Sequence, residues 1–289
     1  MTQAVVPPPK ALREAIDRLR SDAVIRYGDA LIDVSLTEVG LLGTVALPGQ
    51  AEGLMRLAAS LWPQSSSRLL VLATRRPRVA LYPDVEPLDV WRRRTGGVAT
   101  PQELTTQLLP GDPPAGLLAV RNGQYLVKAP GEAVGWVEKT ARFRFGAVPC
   151  LADPATGIGW DPTVVRQTAL DLLGRPYVFG GTGGQGIDCS GLSWRAFLAA
   201  GVLLPRNSRA QRQVGDRVRL AELQESDIIC AVHRGPKRTS HVALYLGEDE
   251  VVHACSEWNL VRRERLGEFR DRYQVLTVRR VPGAIGHPR

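Results

Sequence analysis

The chain has 289 residues, 44% of them hydrophobic and 23% charged. That is enough for two or three domains with cores that need no disulfide staples, and the balance is that of an ordinary soluble globular protein. The net charge of +8 and pI of about 9.7 would suit an anionic partner. The basic clusters, however, are scattered (Arg75-Arg76-Pro77-Arg78, Arg92 to Arg94, Arg262-Arg263) and lack interleaved aromatic residues. They read as solvated surface, so no nucleic-acid partner is expected. Apolar runs such as residues 69–73 are far too short to span a bilayer, so no membrane insertion is expected. Cys150, Cys189, Cys230 and Cys255 are spread singly with no C-x-x-C, which fits reduced thiols in the cytoplasm. Residues 1–10 carry no charged region followed by an apolar stretch. The expected location is therefore cytoplasmic, or extracellular if a leader has been removed.

Residues 1–9, with three consecutive prolines, read as a flexible arm. A helix is expected over 11–20, where Leu12, Ile16 and Leu19 recur at helical spacing, and strands over 31–36 and 40–47. Pro48-Gly49 marks a break, a helix follows over 52–61 and a strand over 69–73. The order α-β-β-α-β makes residues 10–78 a small α/β sandwich of unknown role, which weakly resembles a BON-type module. From about residue 80 the texture changes to short strands and turns. Gln107-Leu108-Leu109-Pro110-Gly111-Asp112, then Tyr125 to Lys128, then Gly135-Trp136-Val137 resemble a bacterial SH3-type (SH3b) barrel over residues 80–148. Pro110 and Asp112 stand where that family often has an aromatic residue and Glu. A linker is expected over 151–160, then a helix over 163–174 closed by Gly174 and Pro176.

The chemistry concentrates further on. Arg175-Pro176-Tyr177-Val178-Phe179-Gly180-Gly181 leads through a glycine-rich loop to Asp188-Cys189-Ser190-Gly191, and a helix capped by Gly201 follows. Cys189 is thus expected in the first helical turn. Unpaired N–H groups there lower a thiol pKa and offer oxyanion donors. The charge of Asp188 opposes this, to an extent set by where its carboxylate points. Of four histidines, His287 lies in a polar tail and His233 in a basic loop, while His241 and His253 flank an expected hairpin with its turn at 247–250. Paired in register, or slipped by two, the hairpin puts both imidazoles on one face, one to serve as base for Cys189 and one to orient it.

The run P-Y-V-F-G-G, D-C-S-G, L-P-R-N-S-R-A-Q, S-D-I-I-C, S-H-V-A-L-Y-L-G and V-V-H-A resembles the NlpC family of bacterial cell-wall peptidases over residues 155–285. The resemblance implies an α+β, papain-like catalytic domain, with helices packed on an antiparallel sheet. It makes Cys189 the nucleophile, His241 the base and His253 the orienting residue, with Tyr177 lining the site near the oxyanion and no cofactor. Phe179 stands where the family often has Trp, with only a packing change expected. Members that pair SH3b modules with this domain cut murein peptides after γ-D-glutamate. By motif position, Asp188 would bind the free amine of the N-terminal L-alanine, and Ser190 and Ser208 the D-glutamyl carboxylate. Asp112 would be a second acid from the barrel, with a turn role equally open, and Arg206 an electrostatic aid or a loop brace. The implied function is a γ-D-glutamyl-L-diamino acid endopeptidase in cell-wall recycling, with a murein peptide as substrate.

Three other readings compete. Gly181-Thr182-Gly183-Gly184-Gln185-Gly186 fits G-x-G-x-x-G, but a dinucleotide site also wants an acid about 20 residues on, and Pro205-Arg206-Asn207 supplies none. Cys189, His241 and His253, with Cys255 as a fourth ligand, would suit zinc. A non-catalytic wall-binding protein with a decayed peptidase domain is the third, against which the intact Cys, His, His set argues.

Overall fold

A computed structural model describes residues 8–27, 32–92, 104–121, 123–148, 159–236 and 238–283. The arm expected over 1–9 and the linker over 151–160 fall mostly outside these residues, as do Cys150 and His287. The described residues are α+β and build three sheets in sequence order.

The first comprises α1 (Lys10–Tyr27), β1 (Ile32–Leu36), β2 (Leu41–Val45), α2 (Pro48–Leu61) and β3 (Arg68–Val71). β2 is central, antiparallel to β1 and parallel to β3. The helical stripe works as the spacing requires: Leu12 and Ile16 of α1 and Leu54 and Ala58 of α2 pack on Val34, Leu41 and Val45. Pro48 opens α2 where the sequence suggested only a break. At the first helical position a missing N–H costs nothing, because that group has no partner within the helix.

The second comprises β4 (Val79–Pro83), β5 (Leu88–Trp91), β6 (Leu104–Leu108), β7 (Ala115–Arg121), β8 (Gln124–Ala129), β9 (Ala133–Val137) and β10 (Phe143–Ala147), in sheet order β10-β4-β7-β8-β9-β5-β6. Leu81 near one edge and Leu108 at the other share one core with Val90, Val127 and Val137, so the sheet curls on itself. Its outer face carries a second apolar cluster. Leu126 and Trp136 meet Ala46 and Leu72 of the first unit there and seal the two units together.

The third comprises α3 (Pro162–Asp171), α4 (Cys189–Ala199), α5 (Ser208–Gln211), β11 (Asp216–Val218), β12 (Ile228–His233), β13 (Ser240–Gly247), β14 (Glu250–Cys255), β15 (Leu260–Arg265), α6 (Leu266–Arg272) and β16 (Tyr273–Arg280). Its six-stranded antiparallel sheet runs β11-β16-β12-β13-β14-β15. Trp194 and Phe197 of α4 bury against Val242, Leu244 and Val252 on one face. Phe269 of α6 and Tyr273 pack with Ala243 and Val251 in a separate cluster. Among the described residues no helix is long and apolar enough to cross a membrane.

The second and third units interlock beside α4. Asp112 makes a two-pronged ion pair with Arg195 of α4, with Oδ2 2.9 Å from the second guanidinium nitrogen. Arg195 also donates to the carbonyl of Thr182, whose hydroxyl donates to the carbonyl of Gln107. The turn between β8 and β9 approaches so closely that Gly131 accepts from the Arg206 N–H at 2.8 Å. Gly131 has φ +79°, and a Cβ there would meet the Leu204 carbonyl oxygen at 2.6 Å and the Arg206 nitrogen at 2.8 Å. Both the backbone conformation and the contact demand glycine. Gly131→Ala is expected to cost about 1–3 kcal/mol in urea unfolding; wild-type stability would show that the contact is not this tight.

Candidate active site

Cys189 is the first residue of α4, with Asp188 as its N-cap. The cap is made in the usual way, by a carboxylate oxygen accepting from the Gly191 N–H at 2.6 Å. The second oxygen accepts from the Gly180 N–H at 2.8 Å and pins the glycine loop to the helix start. Arg206 approaches the same carboxylate edge-on with two bonds of 3.0 Å. Its remaining donors go to Ser190 Oγ, the Gly181 carbonyl and Thr106 Oγ1 of β6. All five guanidinium donors are used, and both side chains of the pair are buried.

The helix start does not make Cys189 a resting thiolate. Burial pushes its pKa up to about 12, and the charge of Asp188 pushes the same way. The Val242 N–H, the Arg206 charge and the Ser190 N–H oppose this without reversing it. The expected lowering by the helix dipole is therefore outweighed by desolvation. Burial also moves His241 well below the usual histidine range, and the neighbouring His253 adds to the shift. Both shifts favour the neutral form, thiol and imidazole.

The hairpin pairs Leu244 with Val252 and Tyr245 with Val251, a register that puts His253 diagonal to His241 on one face. Nε2 of His241 lies 2.8 Å from Nδ1 of His253. Aromatic rings hold the imidazoles. Tyr273 stacks on His241 at 4.4 Å and 15°, and Phe269 stacks on Tyr273 and meets His253 edge-on. Nε2 of His253 in turn lies 2.9 Å from Oε1 of Glu264. Glu264, Phe269 and Tyr273 escape a sequence reading, because nothing in Glu264-Arg265 or Tyr273-Gln274 sets them apart from ordinary strand and helix residues.

Cys189 and His241 line one cavity of about 850 Å³, within the ~300–1,000 Å³ of small-ligand sites. Tyr177, Phe179, Asp188, Ser190, Arg206 and Ser208 line it too. Burial raises the Tyr177 phenol, so it is a neutral hydroxyl there. Ser208 shares a hydrogen bond with Ser240. Phe179 is half-exposed at the cavity. Leu47, Arg92, Leu104, Thr105, Glu132, Ala133 and Val134 of the first two units supply further wall.

Two expectations change. Asp112 does not line the cavity; Arg195 holds it at the interface of the second and third units, where the opposite charge is. Asp188 does line it, but its oxygens already serve five donors, including Arg206, so its charge is compensated before any ammonium arrives. As for zinc, the two imidazoles spend facing nitrogens on each other, and Cys255 is fully buried beside the Tyr273 hydroxyl. Among the described residues no group of three or more His, Cys, Asp or Glu is arranged to hold a metal ion.

Residues 174–279 match the NlpC/P60 family. The chain carries an NlpC/P60 domain. This NlpC/P60 domain accounts for the third sheet, and the match covers neither of the two units before it. A probable endopeptidase of Mycobacterium tuberculosis is 32% identical over 168 residues, covering 54% of this chain and 40% of the relative. A gamma-D-glutamyl-L-lysine dipeptidyl-peptidase of Bacillus cereus is 30% identical over 139 residues, 48% of this chain and 40% of the relative. The chain therefore spans about two-fifths of the length of these curated relatives. Among solved structures, an NlpC/P60 family protein of Bacillus cereus aligns at 24% identity and a TM-score of 0.41, over 72% of this chain and 64% of that one. The peptidoglycan hydrolase RipB of Mycobacterium tuberculosis aligns at 31% identity and a TM-score of 0.36, over 42% of this chain and 64% of that one.

Two predictions follow from the geometry. Arg206→Met strands the buried Asp188 charge and is expected to cost about 3–5 kcal/mol in chemical denaturation; a loss below about 1 kcal/mol would contradict the five-donor role. With the thiol pKa near 12, alkylation of Cys189 in the free protein should rise steadily from pH 6 to 10. A rate already at its plateau at pH 6 would instead indicate a preformed thiolate.

Proposed function

We propose that the protein is a cysteine endopeptidase that cleaves the γ-D-glutamyl-diamino acid bond of short murein peptides bearing a free N-terminal L-alanine, and that it acts in cell-wall recycling in the cytoplasm. The observation that carries the peptidase reading is the cavity shared by Cys189 and His241, with His253 hydrogen-bonded behind His241. The bond specificity is supported by the name of the Bacillus cereus relative, a gamma-D-glutamyl-L-lysine peptidase.

In this reading Cys189 Sγ attacks the γ-carbonyl carbon while its proton passes to Nδ1 of His241, the ring nitrogen not engaged with His253. The oxyanion is met by N–H groups at the start of α4 and by the Tyr177 hydroxyl. His241 then protonates the departing diamino acid nitrogen, and a thioester to Cys189 remains. Water, deprotonated by His241, attacks the thioester, releases L-Ala-D-Glu and restores the thiol.

Substrate contacts follow from charge. The Ser208 hydroxyl, shared only with Ser240, suits the D-glutamyl carboxylate, and Ser190 would join it by turning its hydroxyl away from Asp188. For the ammonium, Glu132 replaces the expected Asp112 as the acid from the second unit. Glu132 lines the cavity, and its pairing with Lys128 at 2.6 Å leaves it 75% exposed. An exposed pair of that kind is worth little and is readily exchanged for a substrate ammonium. Asp188 would act on the amine only through the residual field of its pair with Arg206. The curled second sheet, read as an SH3b-type barrel, and the first unit would then limit how much peptide fits before the scissile bond.

The test is mass spectrometry of L-Ala-γ-D-Glu-diamino acid peptides incubated with the protein. Release of L-Ala-D-Glu, abolished by Cys189→Ala, is expected. N-acetylation of the peptide and Glu132→Gln should each raise KM by about tenfold, the effect of roughly 1.4 kcal/mol. Cleavage by Cys189→Ala would overturn the mechanism, and equal rates on acetylated peptide would overturn the free-amine requirement.

A further inference from the structure

The contact between His241 and His253 does not end at His253. Val251 pairs with Glu264 and His253 with Arg262, so strand alternation puts His253 and Glu264 on the same sheet face. Both side chains are fully buried, with Nε2 of His253 2.9 Å from Oε1 of Glu264. The other carboxylate oxygen pairs with Arg272, and the Arg262 guanidinium is 3.7 Å away. Arg272 is itself held, stacked over Trp258 at 4.5 Å and 3.6 Å from Glu257.

We propose that Glu264 is a positioning residue that sets the proton positions of both imidazoles and thereby leaves the bare nitrogen of His241 for the thiol. This inference rests on the peptidase reading above and extends it by one residue.

The argument is one of donors and acceptors. An ionised carboxylate can only accept. Burial by itself would raise the Glu264 carboxyl, but the close approach of His253 and the hydrogen bond from Arg272 outweigh it and hold the group below its ordinary value. Facing that carboxylate, neutral His253 keeps its single proton on Nε2. Its Nδ1 is then a lone pair, so Nε2 of His241, 2.8 Å away, has to be the donor. A neutral imidazole has one N–H, so Nδ1 of His241 is left as the base. The opposite tautomers would set a lone pair of His253 against a carboxylate lone pair, both side chains being fully buried. The groups packed around His253 do not compete for its proton. Phe269 presents a ring edge-on, and the Tyr273 hydroxyl is directed to Cys255 Sγ. Arg262 and Arg272 carry only donors. Burial keeps His253 neutral against the pull of Glu264.

The experiment is a long-range proton–nitrogen spectrum of the full chain labelled with nitrogen-15 histidine. Nε2–H tautomers are expected for both His241 and His253. An Nδ1–H tautomer at either position overturns the proposal, whatever the activity. In Glu264→Gln the amide can donate or accept, so mixed tautomers are expected. A fall in kcat of about 10- to 10⁴-fold with KM within about twofold should accompany them. A folded Glu264→Gln with wild-type tautomers and wild-type kcat overturns the proposal. If that variant fails to fold, the wild-type spectrum decides alone. The expected tautomers in a protein that cleaves no murein peptide would sink the peptidase reading and leave this assignment standing.

Discussion

Asp188 and Arg206 are both buried, and each is the other's counter-charge. A buried pair of this kind recovers its desolvation cost only when every donor and acceptor is used. Here the guanidinium makes five hydrogen bonds, and the carboxylate adds two backbone N–H groups and the Ser190 hydroxyl. The consequences radiate from that satisfied pair. It caps the helix that presents Cys189, ties the glycine loop to that helix, and reaches Thr106 on the second sheet. The same carboxylate that sequence position offered to a substrate ammonium is therefore the hub of the architecture.

The second governing condition is burial. Burial raises the thiol and lowers both site histidines. Both shifts favour the neutral forms of the thiol and the imidazole in the free protein. Such an arrangement demands accurate proton placement, because a neutral imidazole is a base at only one of its nitrogens. The stacked Tyr273 and Phe269 hold the ring planes, and on the proposal above the Glu264 carboxylate, 2.9 Å from His253 Nε2, would supply direction. Orientation and proton placement come from different elements, α6 and β16 for the first, β14 and β15 for the second.

The units before the NlpC/P60 domain are more than appendages. An apolar cluster of Ala46, Leu72, Leu126 and Trp136 joins the first to the second, and the Asp112–Arg195 pair and the Gly131 turn join the second to the third. Their residues reach the cavity that holds Cys189. One side of that cavity is thus built from parts outside the NlpC/P60 domain.

Local pattern was sufficient for much of this. The 3.6-residue stripe of α1, the alternation of β13 and β14 and the turn between them, and the placement of Cys189 at a helix start all depend on neighbours in the chain, and so they were legible in the amino-acid order. The motif resemblance named the domain family for the same reason, since its residues lie in short contiguous runs. What needed the tertiary structure was every pairing between distant segments. Whether Asp188 is free or neutralised depends on a residue from the loop before α5. Asp112 turned from a substrate acid into an interdomain brace because Arg195 lies opposite it, and Glu132 reached the cavity because the β8–β9 turn packs there. Glu264 is an unremarked strand residue until the sheet sets it beside His253. The thiol pKa followed the same rule: a helix dipole is a local property and was foreseen, whereas desolvation is collective, decided only when three units close around the site.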